Sequence, residues 1–267
     1  MQQRRVNGYD MAYIELGNGA PLVCVHGTLG DFRVWSPVLG PLSRRHRMIS
    51  LSLRHFFPEH WDGVGSDYTI AQHVADVIGF IEVLDVGPVD LMGHSRGGHI
   101  AFRVAQQRPD LLRRLVLAEP GGDVDASLAP PGAPPPAASL GTRYLAAADR
   151  IRAGDIEGGL TIFCDIVGLA WANVPATVRQ TWRDNARTLL GQINEQRQPF
   201  SRGEAEAIRV PTLFVGGGDT PGQLPAVLRA LAGHVRGSRT EIIPNARHFM
   251  FEDDPAAYCA AVLGFLG

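Results

Sequence analysis

Apolar positions along this chain follow two rhythms. Short, nearly unbroken apolar runs occur over residues 21–26, 46–53, 89–93, 115–118, 210–215 and 240–243. They are too brief for helices and read as strands buried on both faces. Ahead of them, residues 4–16 alternate loosely around Asn7-Gly8 and lead into Gly17-Asn18-Gly19, the pattern of an antiparallel hairpin. Between the runs the period changes. Ile70, Val74, Val77, Ile78, Ile81 and Leu84 recur every three or four residues and mark one apolar face of a helix. Asp67 or Thr69 can cap it, and Gly87-Pro88 stops it. Segments 97–107, 224–231 and 255–266 read as further helices. Strand and helix alternate, which predicts an α/β fold with a mostly parallel central sheet, helices on its faces and right-handed crossovers.

The alternation breaks between residues 121 and 206, where no strand-like run occurs. The stretch Pro130-Pro131-Gly132-Ala133-Pro134-Pro135-Pro136 reads as a flexible or polyproline-like connector. Helical segments follow near 143–152, 159–167 and 175–190. The expected organisation is a core domain from 1–120 and 207–267, with 121–206 inserted as a helical lid over the carboxyl ends of the strands, where such sheets bind ligands.

Composition narrows the class. A chain of 267 residues, 45% hydrophobic and with a formal net charge of -2, can bury one sizeable core. It lacks the charge imbalance of a nucleic-acid or membrane-surface binder. Cys24, Cys164 and Cys259 are far apart and odd in number, so neither a disulfide framework nor a zinc spacing emerges. Arg4 and Arg5 are not followed by an apolar stretch, and no segment has the length of a membrane span, which makes the cytoplasm the default location.

Candidate chemistry sits at two places. Gly93-His94-Ser95-Arg96-Gly97 is a G-x-S-x-G pentapeptide between a predicted buried strand and a predicted helix. A tight strand-to-helix turn needs glycines on either side so that helix and strand can approach closely, and it holds the serine hydroxyl clear of the sheet. The helix N-terminus favours negative charge there. A serine needs a base within hydrogen-bond reach. His248 follows the last predicted strand and precedes the last helix, so it is the expected base. His94 and His99 flank the nucleophile and read as packing residues.

From residue 21 onward the chain resembles the α/β-hydrolase superfamily of esterases, lactonases and related enzymes. The resemblance rests on His26-Gly27-Thr28-Leu29-Gly30 with Trp35 downstream, the Ser95 turn, Gly216-Gly217-Gly218-Asp219, and the His248 loop followed by Glu252-Asp253-Asp254-Pro255. It implies that the backbone N–H groups of Thr28 and Arg96 form the oxyanion hole. The Arg96 side chain is then left for an acidic substrate or a lid carboxylate. For the acid that orients His248, the resemblance offers Asp219, at the superfamily's usual place, and Glu119, after the preceding strand, where some lactonases and dehalogenases carry it. Asp219 is the first choice and Glu119 the alternative.

The loop 53–63 departs from the arginine- and glycine-containing loop of many relatives. Its aromatics, with His55 and His60, line a pocket wall or pack the loop. The expected activity is hydrolysis of a carboxylic ester or lactone through an acyl-enzyme, with no metal and no cofactor. C–C bond hydrolysis, cofactor-free oxygenation and slow-turnover ligand reception are the alternatives. The expected partner is the small-molecule ester or lactone, with neither nucleic acid nor membrane involved, and a homodimer stays open.

Overall fold

The structure, a computed structural model, describes residues 1–129, 132 and 140–267. In chain order its elements are β1 (Gln2–Val6), β2 (Tyr9–Leu16), β3 (Ala20–Val25), α1 (Ser36–Ser43), β4 (His46–Leu51), α2 (Ile70–Leu84), β5 (Val89–His94), α3 (Arg96–Gln107) and β6 (Leu112–Ala118). Then follow α4 (Leu140–Arg152), α5 (Ile156–Ile166), α6 (Ala176–Asp184), α7 (Thr188–Gln192), α8 (Arg202–Ala207), β7 (Thr212–Gly217), α9 (Leu224–Ala232), β8 (Arg239–Ile243), α10 (Met250–Asp253) and α11 (Pro255–Leu266).

The eight strands form one sheet in the order β1-β2-β4-β3-β5-β6-β7-β8. The β1–β2 and β2–β4 pairs are antiparallel and the remaining five are parallel, so the expected α/β fold with a mostly parallel sheet holds. The continuous apolar runs are explained by burial on both sides. Val23, Val25, Leu91, Leu115 and Leu117 belong to the core that packs α2 and α3. Leu22, Cys24, Met92, Val116 and Ala118, one residue out of phase, belong to the core beneath α1 and α11. Among the described residues no helix is long and apolar enough to cross a membrane.

Between β6 and β7 the chain forms helices α4 to α8. Tyr144, Ile151, Leu160, Phe163, Trp182 and Leu189 form a third apolar cluster that takes in Leu29 from the loop after β3. A buried amide fastens this layer to the core. Asn185 Nδ2 donates to Asp31 Oδ2 (2.7 Å) and to the Leu29 carbonyl (3.3 Å), while its Oδ1 accepts from the Phe57 N–H (2.7 Å).

Several local expectations need correction. Residues 175–190 form two helices, because the chain breaks after Asp184 where Asn185 makes those contacts. Helix α1 was not foreseen, since Pro37, Gly40 and Pro41 suppress a helical reading. Thr69 caps α2, accepting from Gln72 N, and the helix ends earlier than Gly87, at a left-handed Asp85. His55 belongs to loop packing. It stacks on Trp61 and bonds Glu59 and Asp67. The proline stretch 130–136 lies, apart from Gly132, outside the described residues.

Candidate active site

The turn between β5 and α3 is tight for a steric reason. A Cβ on Gly93 would lie 2.4 Å from the Gly97 carbonyl oxygen, and one on Gly97 would lie 2.3 Å from that of His26. Only glycines permit the helix, the strand and the His26 loop to meet there. Ser95 between them adopts φ 52°, ψ -120°, a costly conformation for a residue with a side chain, and one held here by its surroundings.

The loop after β3 packs directly on this turn. A Cβ at Gly27 would stand 3.0 Å from Ser95 Cβ. His26, fully buried, fixes that loop. Its Nδ1–H donates to the Gly27 carbonyl (2.8 Å) and its Nε2 accepts from Leu53 N–H (3.1 Å). Burial pushes this imidazole down to about 4, so it stays neutral. Neither Thr28 N–H nor Arg96 N–H finds an acceptor among the described residues. Thr28 borders the cavity next to Ser95, and its hydroxyl donates to Gln192 Oε1 (3.1 Å).

His248 arrives on the loop after β8. The buried His94 holds that loop: its Nε2–H donates to the His248 carbonyl (2.8 Å). Burial holds His94 well below the ordinary histidine value, with the neighbouring His248 acting in the same direction. The His94 and His248 rings lie 4.5 Å apart between centroids. Ser95 and His248 border one cavity of about 260 Å³, together with Thr28, Tyr144, Gln192 and Phe249. They are not directly hydrogen-bonded, and such links are often long without substrate and tighten when it binds.

The carboxylate at His248 is Glu119, not Asp219. Glu119 Oε2 accepts from His248 Nδ1 at 2.7 Å, and its Oε1 accepts from Gly217 N–H at 2.9 Å. Glu119 is fully buried and follows β6 with φ 42°, a second left-handed residue at the site. Asp219 is exposed. Strand β7 runs on to Gly217, and Asp219 falls in the turn beyond it, tied by its N–H to the Ala246 carbonyl (2.9 Å). The end of β7 therefore supplies a backbone donor for the Glu119 carboxylate.

The Arg96 side chain resolves toward a carboxylate of the inserted segment. It is fully buried, ion-paired to Glu195, and donates through Nη2 to His73 Nδ1 (2.7 Å). Arg197 Nη2 holds the other Glu195 oxygen at 2.8 Å. Burial works against the Glu195 charge, but the two guanidinium groups outweigh it and keep its carboxyl below the usual range. Sequence reasoning missed Gln192, Glu195 and Arg197. They sit at or after a short helix end, in a stretch with no periodicity or motif to flag them. A second cavity of about 240 Å³ shares Phe249 and His248 with the first and is bordered by Val34, Trp182 and Glu252.

Comparison with known proteins agrees with this architecture. The model of the alpha/beta hydrolase family matches residues 22–261. An uncharacterized protein of Mycobacterium tuberculosis is 29% identical over the whole of this chain and 81% of its own length. The enol-lactonase from Burkholderia xenovorans LB400 superposes with a TM-score of 0.79 at 21% identity, covering 99% of both chains. A thermophilic esterase from Thermogutta terrifontis gives 0.75 at 23% identity, over 96% of this chain and 93% of that one. At such identities the two structures speak for the fold alone. Since the family model spans most of the chain, from within β3 through β8 and including Ser95, Glu119 and His248, this chain belongs to the alpha/beta hydrolase family.

Proposed function

We propose that the protein is a serine hydrolase that cleaves a carboxylic ester or lactone through an acyl-enzyme. The observation that carries this reading is the Glu119–His248 pair facing the same cavity as Ser95 on its strained turn. Ser95 Oγ attacks the carbonyl carbon as its proton passes to His248 Nε2. The carbonyl oxygen becomes an oxyanion received by the N–H groups of Thr28 and Arg96, each worth on the order of 3 kcal/mol in the transition state. On collapse the C–O bond breaks, and the leaving oxygen takes the proton from His248. Water then attacks the acyl-enzyme by the same route, giving the free acid and restoring the Ser95 hydroxyl. Glu119 holds the imidazole with Nδ1–H facing it and stabilises the imidazolium, and Gly217 N–H fixes the carboxylate. Helices α4 to α7 act as a lid that excludes bulk water.

The test is hydrolysis of 4-nitrophenyl acetate by the wild type and by Ser95→Ala. Multiple turnovers should fall by at least about 10³-fold in the variant. Undiminished turnover would overturn the assignment, as would failure of a fluorophosphonate to label Ser95 in the intact protein.

A further inference from the structure

The charges behind the nucleophile do not cancel. Arg96, Glu195 and Arg197 form one buried cluster, with side chains 0%, 2% and 8% exposed, and hold two positive charges against one negative. Leaving a buried cation uncompensated is costly. Arg197 also has more donors than acceptors. Nη2 serves Glu195, Nη1 reaches the Gly121 carbonyl at 3.3 Å, and Nε has no partner. This guanidinium borders the cavity that holds Ser95 and His248. Its separation from the reacting serine is short: a Cβ on Gly121 would lie 3.1 Å from Ser95 C, 3.2 Å from Arg96 N and 3.4 Å from Arg197 Nη1. Arg143, half-buried, adds a second guanidinium to the same lining, and its 3.6 Å approach to Asp123 is a loose pairing. Asp165, also on the lining, is exposed, so water screens it. The positive field is felt around the site. Burial holds His99 well below the ordinary histidine value, and Arg197 pushes it the same way.

Building on the hydrolase reading above, we propose that the substrate's acyl part carries a carboxylate, which Arg197 binds with Arg143 beside it. The acyl side is indicated because Gly121 packs against both Arg197 and Arg96 N, the proposed oxyanion donor, whereas the leaving oxygen must sit at His248 to collect its proton. The substrates are thus half-esters of short dicarboxylic acids, or lactones bearing a carboxylate. A cavity of about 260 Å³ suits an acyl group of that size. A carboxylate in this place neutralises the cluster's surplus charge and offers Nη1, held only by the long 3.3 Å contact to the Gly121 carbonyl, a charged acceptor.

The test compares mono(4-nitrophenyl) adipate with methyl 4-nitrophenyl adipate, which differ only in that the remote carboxylate is capped. The intact wild type should favour the free carboxylate by at least about tenfold in kcat/KM, the expected scale for a charge-assisted contact. Arg197→Gln should collapse that ratio toward one, and Arg197→Lys should restore part of it. Equal handling of the two esters by the wild type overturns the proposal, as does an Arg197→Gln enzyme that keeps the full ratio. If Arg197→Gln does not fold, the wild-type ratio and its response to Arg143→Gln decide: a ratio of tenfold that Arg143→Gln lowers supports the proposal, and an unaltered one refutes it. Ser95→Ala separates the two levels. Loss of both activities with a wild-type ratio near one rejects the acidic-substrate inference alone, whereas retained activity rejects the serine mechanism.

Discussion

Glu119 has both of its oxygens committed, one to the ring of His248 and one to the amide of Gly217. Replacing it by Gln leaves the shape but allows the amide to present a donor to Nδ1, which selects the wrong imidazole tautomer. Steady-state kinetics of Glu119→Gln should show kcat lowered by about 10²–10⁴-fold. Asp219→Asn, in the exposed turn, should stay within about threefold. The opposite ranking would move the acid to Asp219. At this scale the sequence exposed Ser95 and His248 through spacing and context. It did not decide the acid, because two successive strand ends carry a carboxylate and only the exit of the chain from each strand determines which one reaches the ring. Glu195 and Arg197 were illegible, being charged residues in a coil whose placement depends on distant contacts, Glu195 with Arg96 99 positions earlier and Arg197 with Gly121 76 positions earlier.

Among the elements, the join between the inserted helices and the sheet rests on Asn185. Asn185→Ala removes an amide that serves Asp31, Leu29 and Phe57, and leaves the fully buried Asp31 without one of its donors. Thermal unfolding should register a loss of about 2–3 kcal/mol, and amide exchange in α6 and α7 should speed up ahead of that in β5. A variant as stable as the wild type would show that the apolar cluster alone holds the layer. The Ser95 turn is less forgiving. Gly97→Ala would put a methyl 2.3 Å from the His26 carbonyl oxygen, and the soluble folded fraction should drop sharply, as circular dichroism would record. The strands were readable because burial on both faces leaves uninterrupted apolar runs. Helix α1 was not, since its prolines and glycine hide a segment stabilised by packing on β4 and α11.

For the whole molecule, five buried histidines set a pH limit. His26, His46, His73, His94 and His99 are all held below the ordinary histidine value, chiefly by burial, His26 down to about 4. Unfolding frees them to take protons at their usual value near 6.5. Between that pH and their folded values the unfolded chain binds more protons, so stability rises with pH there and is lost as pH falls through 6.5. His26 alone contributes on the order of 3 kcal/mol of loss by pH 4. Urea midpoints measured from pH 8 to pH 5 should decline with a steepening slope below about 6.5. A flat profile would mean that these imidazoles are charged in the native state.

The order in which the pieces occur along the polypeptide has a consequence for its synthesis. The turn bearing Ser95 and the strand leading to Glu119 leave the ribosome well before β8 and the loop that brings His248. On the proposed mechanism, a nascent or interrupted chain displays a hydroxyl that nothing deprotonates. Catalytic competence then arrives only when β8 docks and brings the His248 loop with it, so this later-translated segment works as an arming step that keeps the earlier-made part inert.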